Sequence, residues 1–286
     1  MVMRVRGHAA WGVLLLCAQA LAGGHADGIR IGLTPVVPDG QIDLLEEVRD
    51  YLAAGLGEPV TFVQRRSYRE VMDELLSGRI DYAWICGLPY IDHEEALELI
   101  GVPVYQGRPH YRSYLIVPAI DQTTESIHDL EGRVFAFSDP DSNSGYLVPM
   151  TQLLAAGRQP DRFFSQTFFT WTHADVIAAV AARLADGGAV DGYVWDYLSQ
   201  VRPELTARTR VVWRSEPYGF PPVVARRSSV TQGGGLRDRL LEMGDDAYGS
   251  QLLQRLRLDG FVAGDPALYE SIREQRALLQ GERPVP

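Results

Sequence analysis

Asp139-Pro140-Asp141-Ser142-Asn143-Ser144-Gly145 gathers three small hydrogen-bonding side chains and a glycine into one turn. Serine and asparagine at a helix start accept from free backbone N–H groups. Those N–H groups, with the positive end of the helix dipole, also form a seat for an anion. Ser142, Asn143 and Ser144 therefore support two readings, a helix cap and an anion seat, and the residues alone leave both open. His173 follows Thr172 at another helix start and is a further donor, one that protonation would strengthen. Cys86 ends an apolar run. It reads as a small apolar filler or, alternatively, as a soft ligand.

These residues need elements to hold them. Arg133–Ser138 reads as a short buried strand, and Tyr146–Ala156 as a helix closed by Gly157. Ahead of them, Ile29–Leu33, Val60–Val63 and Ile80–Ile85 read as strands, with helices over Ile42–Leu56 and from Ser67 to Leu76. Ser67 and Glu70 have capping-box spacing. Val102–Tyr105 and Tyr111–Val117 are two more strands. Beyond Pro118 the pattern restarts. Phe168–Trp171 is a strand, Thr172 caps a helix to Leu184 that Gly187-Gly188 ends, and Ala189–Trp195 is a strand followed by Asp196. Arg210–Trp213 leads into a turn-rich crossover, Ser215–Pro222, then a strand at Val223–Ala225 and two terminal helices. Alternation of this kind predicts largely parallel α/β sheets. Crossings near 118 and 212 predict two lobes and a cleft: residues 27–117 with 213–286, and residues 118–212.

Charge and composition exclude several functions. A net charge of −10 argues against nucleic acid and anionic membrane as partners. All 27 basic residues are arginine, which removes a P-loop lysine and a Schiff-base lysine. Arg4 and Arg6, an apolar run and small residues ending at Ala26 read as a signal peptide over 1–26, cleaved after Ala26 or Ala22. Cys17 offers a weak lipid-anchor alternative. Cys86 would then be the only cysteine left, so no intrachain disulfide forms. His93, His110, His128 and His173 lack the close spacing of a metal site. Ser144, His173 and Asp196 are the types of a hydrolytic triad, but no nucleophile elbow accompanies them. Neither a cofactor nor an enzymatic activity is expected.

Four segments resemble the periplasmic phosphate/phosphite/phosphonate-binding proteins of ABC importers: Asp81–Tyr90, Tyr111-Arg112-Ser113, Asp139–Gly145, and His173 with Val176–Val180 and Val190-Asp191. The third is the most specific, and Gly260-Phe-Val with Asp265 and Tyr269 resembles the family's ending. The resemblance implies a type II periplasmic binding fold, two α/β lobes with a two-stranded hinge, and an oxyanion in the cleft. It implies ligand contacts at Tyr68, Tyr90, Tyr111, Ser142, Ser144 and His173, with Asn143 where threonine is usual. Asp196 lies near the family's acid for a substrate ammonium. The second such acid is missing, since Phe220 and Pro221 stand in its place. The expected protein is a monomeric periplasmic receptor that hands a small oxyanion to an inner-membrane permease. The alternative is a sensor subunit for a histidine kinase, binding arsenite through Cys86.

Overall fold

The structure is a computed structural model and describes residues 28–34, 42–232 and 234–281. The expected signal peptide, with Cys17, lies outside the described residues. In chain order the strands are β1 (Ile29–Leu33), β2 (Val60–Gln64), β3 (Tyr82–Trp84), β4 (Leu97–Val104), β5 (His110–Tyr111), β6 (Ser113–Pro118), β7 (Val134–Phe137), β8 (Gln166–Phe169), β9 (Gly187–Asp191), β10 (Thr209–Arg214), β11 (Tyr218–Gly219), β12 (Val223–Arg226) and β13 (Gly260–Val262). They form a first sheet ordered β13-β4-β12-β3-β1-β2, a second ordered β10-β6-β9-β7-β8, and the short pair β11-β5.

That pair is the junction. The chain leaves the first sheet after β4, passes through β5 and enters the second at β6. It leaves at β10, passes through β11 and returns at β12. Tyr218 pairs with Tyr111 and Gly219 with His110, antiparallel. The crossings expected near 118 and 212 fall in β6 and β10, which are both strands of the second sheet.

Both sheets are mixed rather than largely parallel. β1 is parallel to β2 and β3, and β7 to β8 and β9, as helical crossovers require. β12 runs antiparallel between β3 and β4, and β6 is antiparallel to β9 and β10. A strand delivered from the other sheet has no crossover helix to fix its direction.

Helix Tyr68–Leu76 buries Tyr68, Val71, Met72 and Leu75, one stripe at helical spacing. Ser67 Oγ accepts from Glu70 N at its start, while Glu70 reaches the amide of Arg66 rather than that of Ser67. Helix His173–Ala181 ends earlier than expected, at Arg183, whose φ of 60° allows Leu184 N to reach Ala179 O. Gly187 and Gly188 lie inside β9. A Cβ on Gly188 would lie 2.5 Å from Val176, so Gly188 lets that helix press onto the sheet, while a Cβ on Gly187 would lie 2.5 Å from Leu130. The expected strand Ala189–Trp195 stops at Asp191, whose carboxylate accepts from Tyr193 N and Val194 N and caps the helix Gly192–Val201. Trp195 and Asp196 are therefore helical. The single expected strand Tyr111–Val117 is broken at Arg112, where the chain changes sheets. Among the described residues the C-terminal part holds three α-helices and β13 rather than two helices.

The main apolar core is continuous from the first sheet and its helix (Ile31, Ala83, Leu75) to the second sheet and its helix (Ile116, Val190, Val180). A smaller aromatic core around Phe135, Phe137 and Phe164 lies in the second half. Helix Glu270–Gln280 ties the parts together. Gln275 accepts from Thr151 Oγ1 at 2.9 Å and donates to the Tyr218 hydroxyl at 2.6 Å, and Arg276 meets Asp92 at 2.8 Å.

Candidate anion site

The serine-rich turn lies between the sheets and is buried at its centre, with Ser142, Asn143 and Ser144 each 0% exposed. Asp139 shapes it. One carboxylate oxygen accepts from Asp141 N at 2.8 Å, and the other accepts from Tyr68 N, in the first lobe, at 3.0 Å. Ser142 Oγ caps the following helix by accepting from Gly145 N at 3.0 Å. The first turn, Asn143–Leu147, is a π-turn that continues into the α-helix Val148–Ala155. Gly145 is required by space: a Cβ there would lie 1.9 Å from Ser138 Oγ. From the start of β6, Ser113 Oγ donates to Ser144 O at 2.7 Å and fixes the turn against the second sheet.

Two of the backbone amides expected to seat an anion are already engaged. Gly145 N is taken by Ser142, and Asn143 N donates to Cys86 Sγ at 3.3 Å. The site is therefore made chiefly of side-chain hydroxyls. His173 Nδ1 accepts from Asp191 N at 3.1 Å, so the ring proton resides on Nε2. Nε2 lies 3.2 Å from the Tyr68 oxygen and donates to it, which frees the Tyr68 O–H to donate elsewhere. Asn143 Nδ2 donates to the Tyr111 oxygen at 3.0 Å and frees the Tyr111 O–H in the same way. Ser138 Oγ, Ser144 Oγ and Asn143 Oδ1 are buried without a hydrogen-bond partner. Such atoms are costly unless another group meets them.

Burial keeps the imidazole, the thiol and the two tyrosines here neutral. It pushes His173 down to about 3, so the gain expected from its protonation does not arise near neutral pH. It pushes the Cys86 thiol up to about 11 and Asp191 up to about 8. Tyr68 and Tyr111 are raised well above their ordinary value for the same reason. A thiol kept protonated is the unreactive form, which weakens the soft-ligand alternative for Cys86.

The structure thus brings Tyr68, Cys86, Tyr111, Ser142, Asn143, Ser144 and His173 together. It does not bring Tyr90 or Asp196 to them. Tyr90 packs its ring 4.8 Å from that of Tyr269 and lies close to Glu94 and Arg273. Asp196 Oδ2 accepts from the Tyr105 hydroxyl at 2.6 Å and the Tyr114 hydroxyl at 3.0 Å. Tyr105, Tyr111, Tyr114 and Tyr193, with Arg108 and Arg112, line an adjoining cleft of about 320 Å³. Sequence reasoning missed Ser113, Ser138 and Asp191 as site residues. Their signal was position: each stands at the start or end of a strand that abuts the turn.

Two α/β sheets joined by a short antiparallel pair, with a hydroxyl-lined nest between them, are the type II periplasmic binding fold. Residues 31–269 match the family described as ABC transporter, phosphonate, periplasmic substrate-binding protein. The chain belongs to that family, one of transport receptors rather than enzymes. It is 24% identical over 227 residues to the phosphonates-binding periplasmic protein of Escherichia coli K12, covering 77% of this chain and 67% of that one. A binding-protein component of an ABC phosphonate transporter from Pseudomonas aeruginosa shares the fold with a TM-score of 0.81 at 23% identity, over 88% of this chain and 86% of that one. A Prochlorococcus marinus protein solved with methylphosphonate gives 0.76 at 20% identity, over 88% of this chain and 98% of that one. Among the described residues no helix is long and apolar enough to cross a membrane.

Proposed function

We propose that the protein captures a small tetrahedral oxyanion of the phosphate, phosphite or phosphonate class in the nest around Ser144. Closed on that ligand, it docks as a monomer on the permease of an ABC importer. The observation that carries this reading is the set of hydroxyls with protons or lone pairs to spare, on Ser138, Ser144, Tyr68 and Tyr111, in a buried site whose imidazole is neutral. Converging O–H donors hold an oxyanion without a formal positive charge. The Prochlorococcus relative solved with methylphosphonate supports the same class. Residues through β4 together with those from β12 onward form one lobe, β6 to β10 the other, and β5·β11 the hinge between them. Residues 1–26 direct the chain to the periplasm and are removed.

Titration calorimetry of the ligand-stripped protein with phosphate, phosphite, methylphosphonate and sulfate tests the reading. At least one phosphorus oxyanion should bind, and Ser144→Ala with His173→Ala should weaken it by roughly two orders of magnitude or more, at about 1.5–3 kcal/mol for each lost bond to a charged ligand. Unchanged affinity in that double variant would remove the site assignment.

A further inference from the structure

Within the nest, Asn143 differs from its neighbours. The hydroxyls of Ser138 and Ser144 can turn to donate or accept, and those of Tyr68 and Tyr111 keep a proton to donate, with Ser142 beside the first and Ser144 and Cys86 beside the second. Asn143 Oδ1 can only accept, and it is wholly buried with no donor. Its amide is fixed by two contacts. Nδ2 donates to Tyr111, and the backbone N donates to Cys86. A buried acceptor without a donor, among the residues of an anion site, repels a bare oxyanion oxygen and welcomes one that carries a proton.

The other groups facing Asn143 point the same way. No arginine is hydrogen-bonded to any of them among the described residues, and His173 is neutral. Asp191 and Asp139 are buried carboxyls, both raised by desolvation. Tyr68, Tyr111 and Cys86 keep their protons throughout the neutral range. Among the described residues, none of these groups carries a positive charge that would neutralise a second negative charge on a ligand.

We propose that Asn143 reads a proton on the ligand: its Oδ1 accepts from an acidic O–H, so that the site takes the singly protonated oxyanion and refuses fully ionised dianions such as sulfate. This rests on the oxyanion reading above and specifies the ionic form bound.

Calorimetry with phosphite and methylphosphonate, from about two pH units below to about two above each ligand's second pKa, tests it, with sulfate as the ligand that stays a dianion throughout. Affinity for total phosphite and methylphosphonate should fall about tenfold per pH unit above that pKa, because only the monoanion is competent. The break should move with the ligand, and sulfate should bind at least about a hundredfold more weakly than phosphite at neutral pH. Asn143→Thr keeps the Ser142 cap but not the reach of the amide oxygen, and should narrow the phosphite-to-sulfate ratio about tenfold or more. Four results would overturn the proposal: affinity flat across the ligand's second pKa, a break at one pH for both ligands, sulfate preferred to phosphite, or a ratio unchanged in Asn143→Thr. The first two place the titration elsewhere, the third places the amide N–H group against the ligand, and the fourth leaves the missing cation as the whole cause. Failure of every phosphorus oxyanion to bind at any pH would instead remove the underlying oxyanion reading.

Discussion

The nest around Ser144 and the cleft beside it share Tyr111 as a wall and differ in nearly everything else. In the nest, the imidazole, thiol and hydroxyls are buried and neutral, and their protons are directed by other groups: Asp191 N sets the His173 tautomer, and His173 and Asn143 donate to the oxygens of Tyr68 and Tyr111. In the cleft, Arg108, Arg112 and Gln106 reach solvent, and the carboxylate expected to serve a ligand, Asp196, is held by Tyr105 and Tyr114. In a buried, low-dielectric setting each hydrogen bond counts for more, while exposed charges are screened. The nest is thus suited to choosing the ligand's head, and the cleft to tolerating what hangs from it.

The sharpest way to break that contrast is a pair of single variants. Tyr68→Phe removes one O–H aimed into the nest and should weaken methylphosphonate by roughly ten- to a hundredfold, about 1.5–3 kcal/mol for a bond to a charged acceptor. Arg108→Ala in the cleft should leave the same ligand within about threefold, as surface changes usually do. Calorimetry on both would decide. Equal losses would mean that the cleft, too, grips the head.

A somewhat smaller effect should appear in stability without ligand. His173 is depressed to about 3, so its contribution is complete above the unfolded value near 6.5 and is lost as pH falls from there toward 3. Asp191 is raised from 3.8 to about 8, so its contribution is complete at low pH and is lost as pH rises toward 8. Between about pH 4 and 6.5 the two slopes oppose and largely cancel. From about pH 6.5 to 8 only the Asp191 slope remains, near 1.4 kcal/mol per unit, for a loss of about 2 kcal/mol. Asp191→Asn keeps an acceptor for the cap and should flatten that fall in urea melts. A fall that persists in the variant would assign it to another group.

Most of the frame was legible in the chain, and the failures share a cause. Strand and helix at the serine turn, the Ser67 and Thr172 caps and the run of β1, β2 and β3 follow from local pattern, because burial there matches sequence period. Gly187-Gly188 looked like a helix stop, but both lie in β9, where Leu130 packs over Gly187 and Val176 over Gly188. Tyr193-Val194-Trp195 is aromatic and β-branched and read as the end of the strand Ala189–Trp195, yet Asp191 and its two N–H partners start a helix there. Within the site, Ser142, Asn143, Ser144, His173, Tyr68 and Tyr111 could be marked beforehand. Which way each proton points could not, because that depends on Asp191 N and on contacts between lobes far apart in sequence.

The smallest expected effect tests whether closure itself depends on the nest or on its rim. Arg69, one residue past Tyr68, reaches across to Asp141 beside the serine turn, with 3.0 Å between Nη2 and the nearer carboxylate oxygen. Just inside this pair, Asp139 accepts from the buried amide of Tyr68. Both contacts join the lobes, but the arginine side chain is 72% exposed, so the pair is screened and worth about 0.2–1 kcal/mol at most. Arg69→Ala should therefore weaken methylphosphonate by no more than about fivefold at low salt. Stopped-flow release should show the change mainly in the off-rate, and added salt should erase it, since roughly 1 M ionic strength shortens the screening length to about 3 Å. A loss that survives high salt would mean that the rim pair, rather than the buried Asp139 contact, holds the lobes shut. The division between a dry, selective interior and a screened exterior would then fail at this edge.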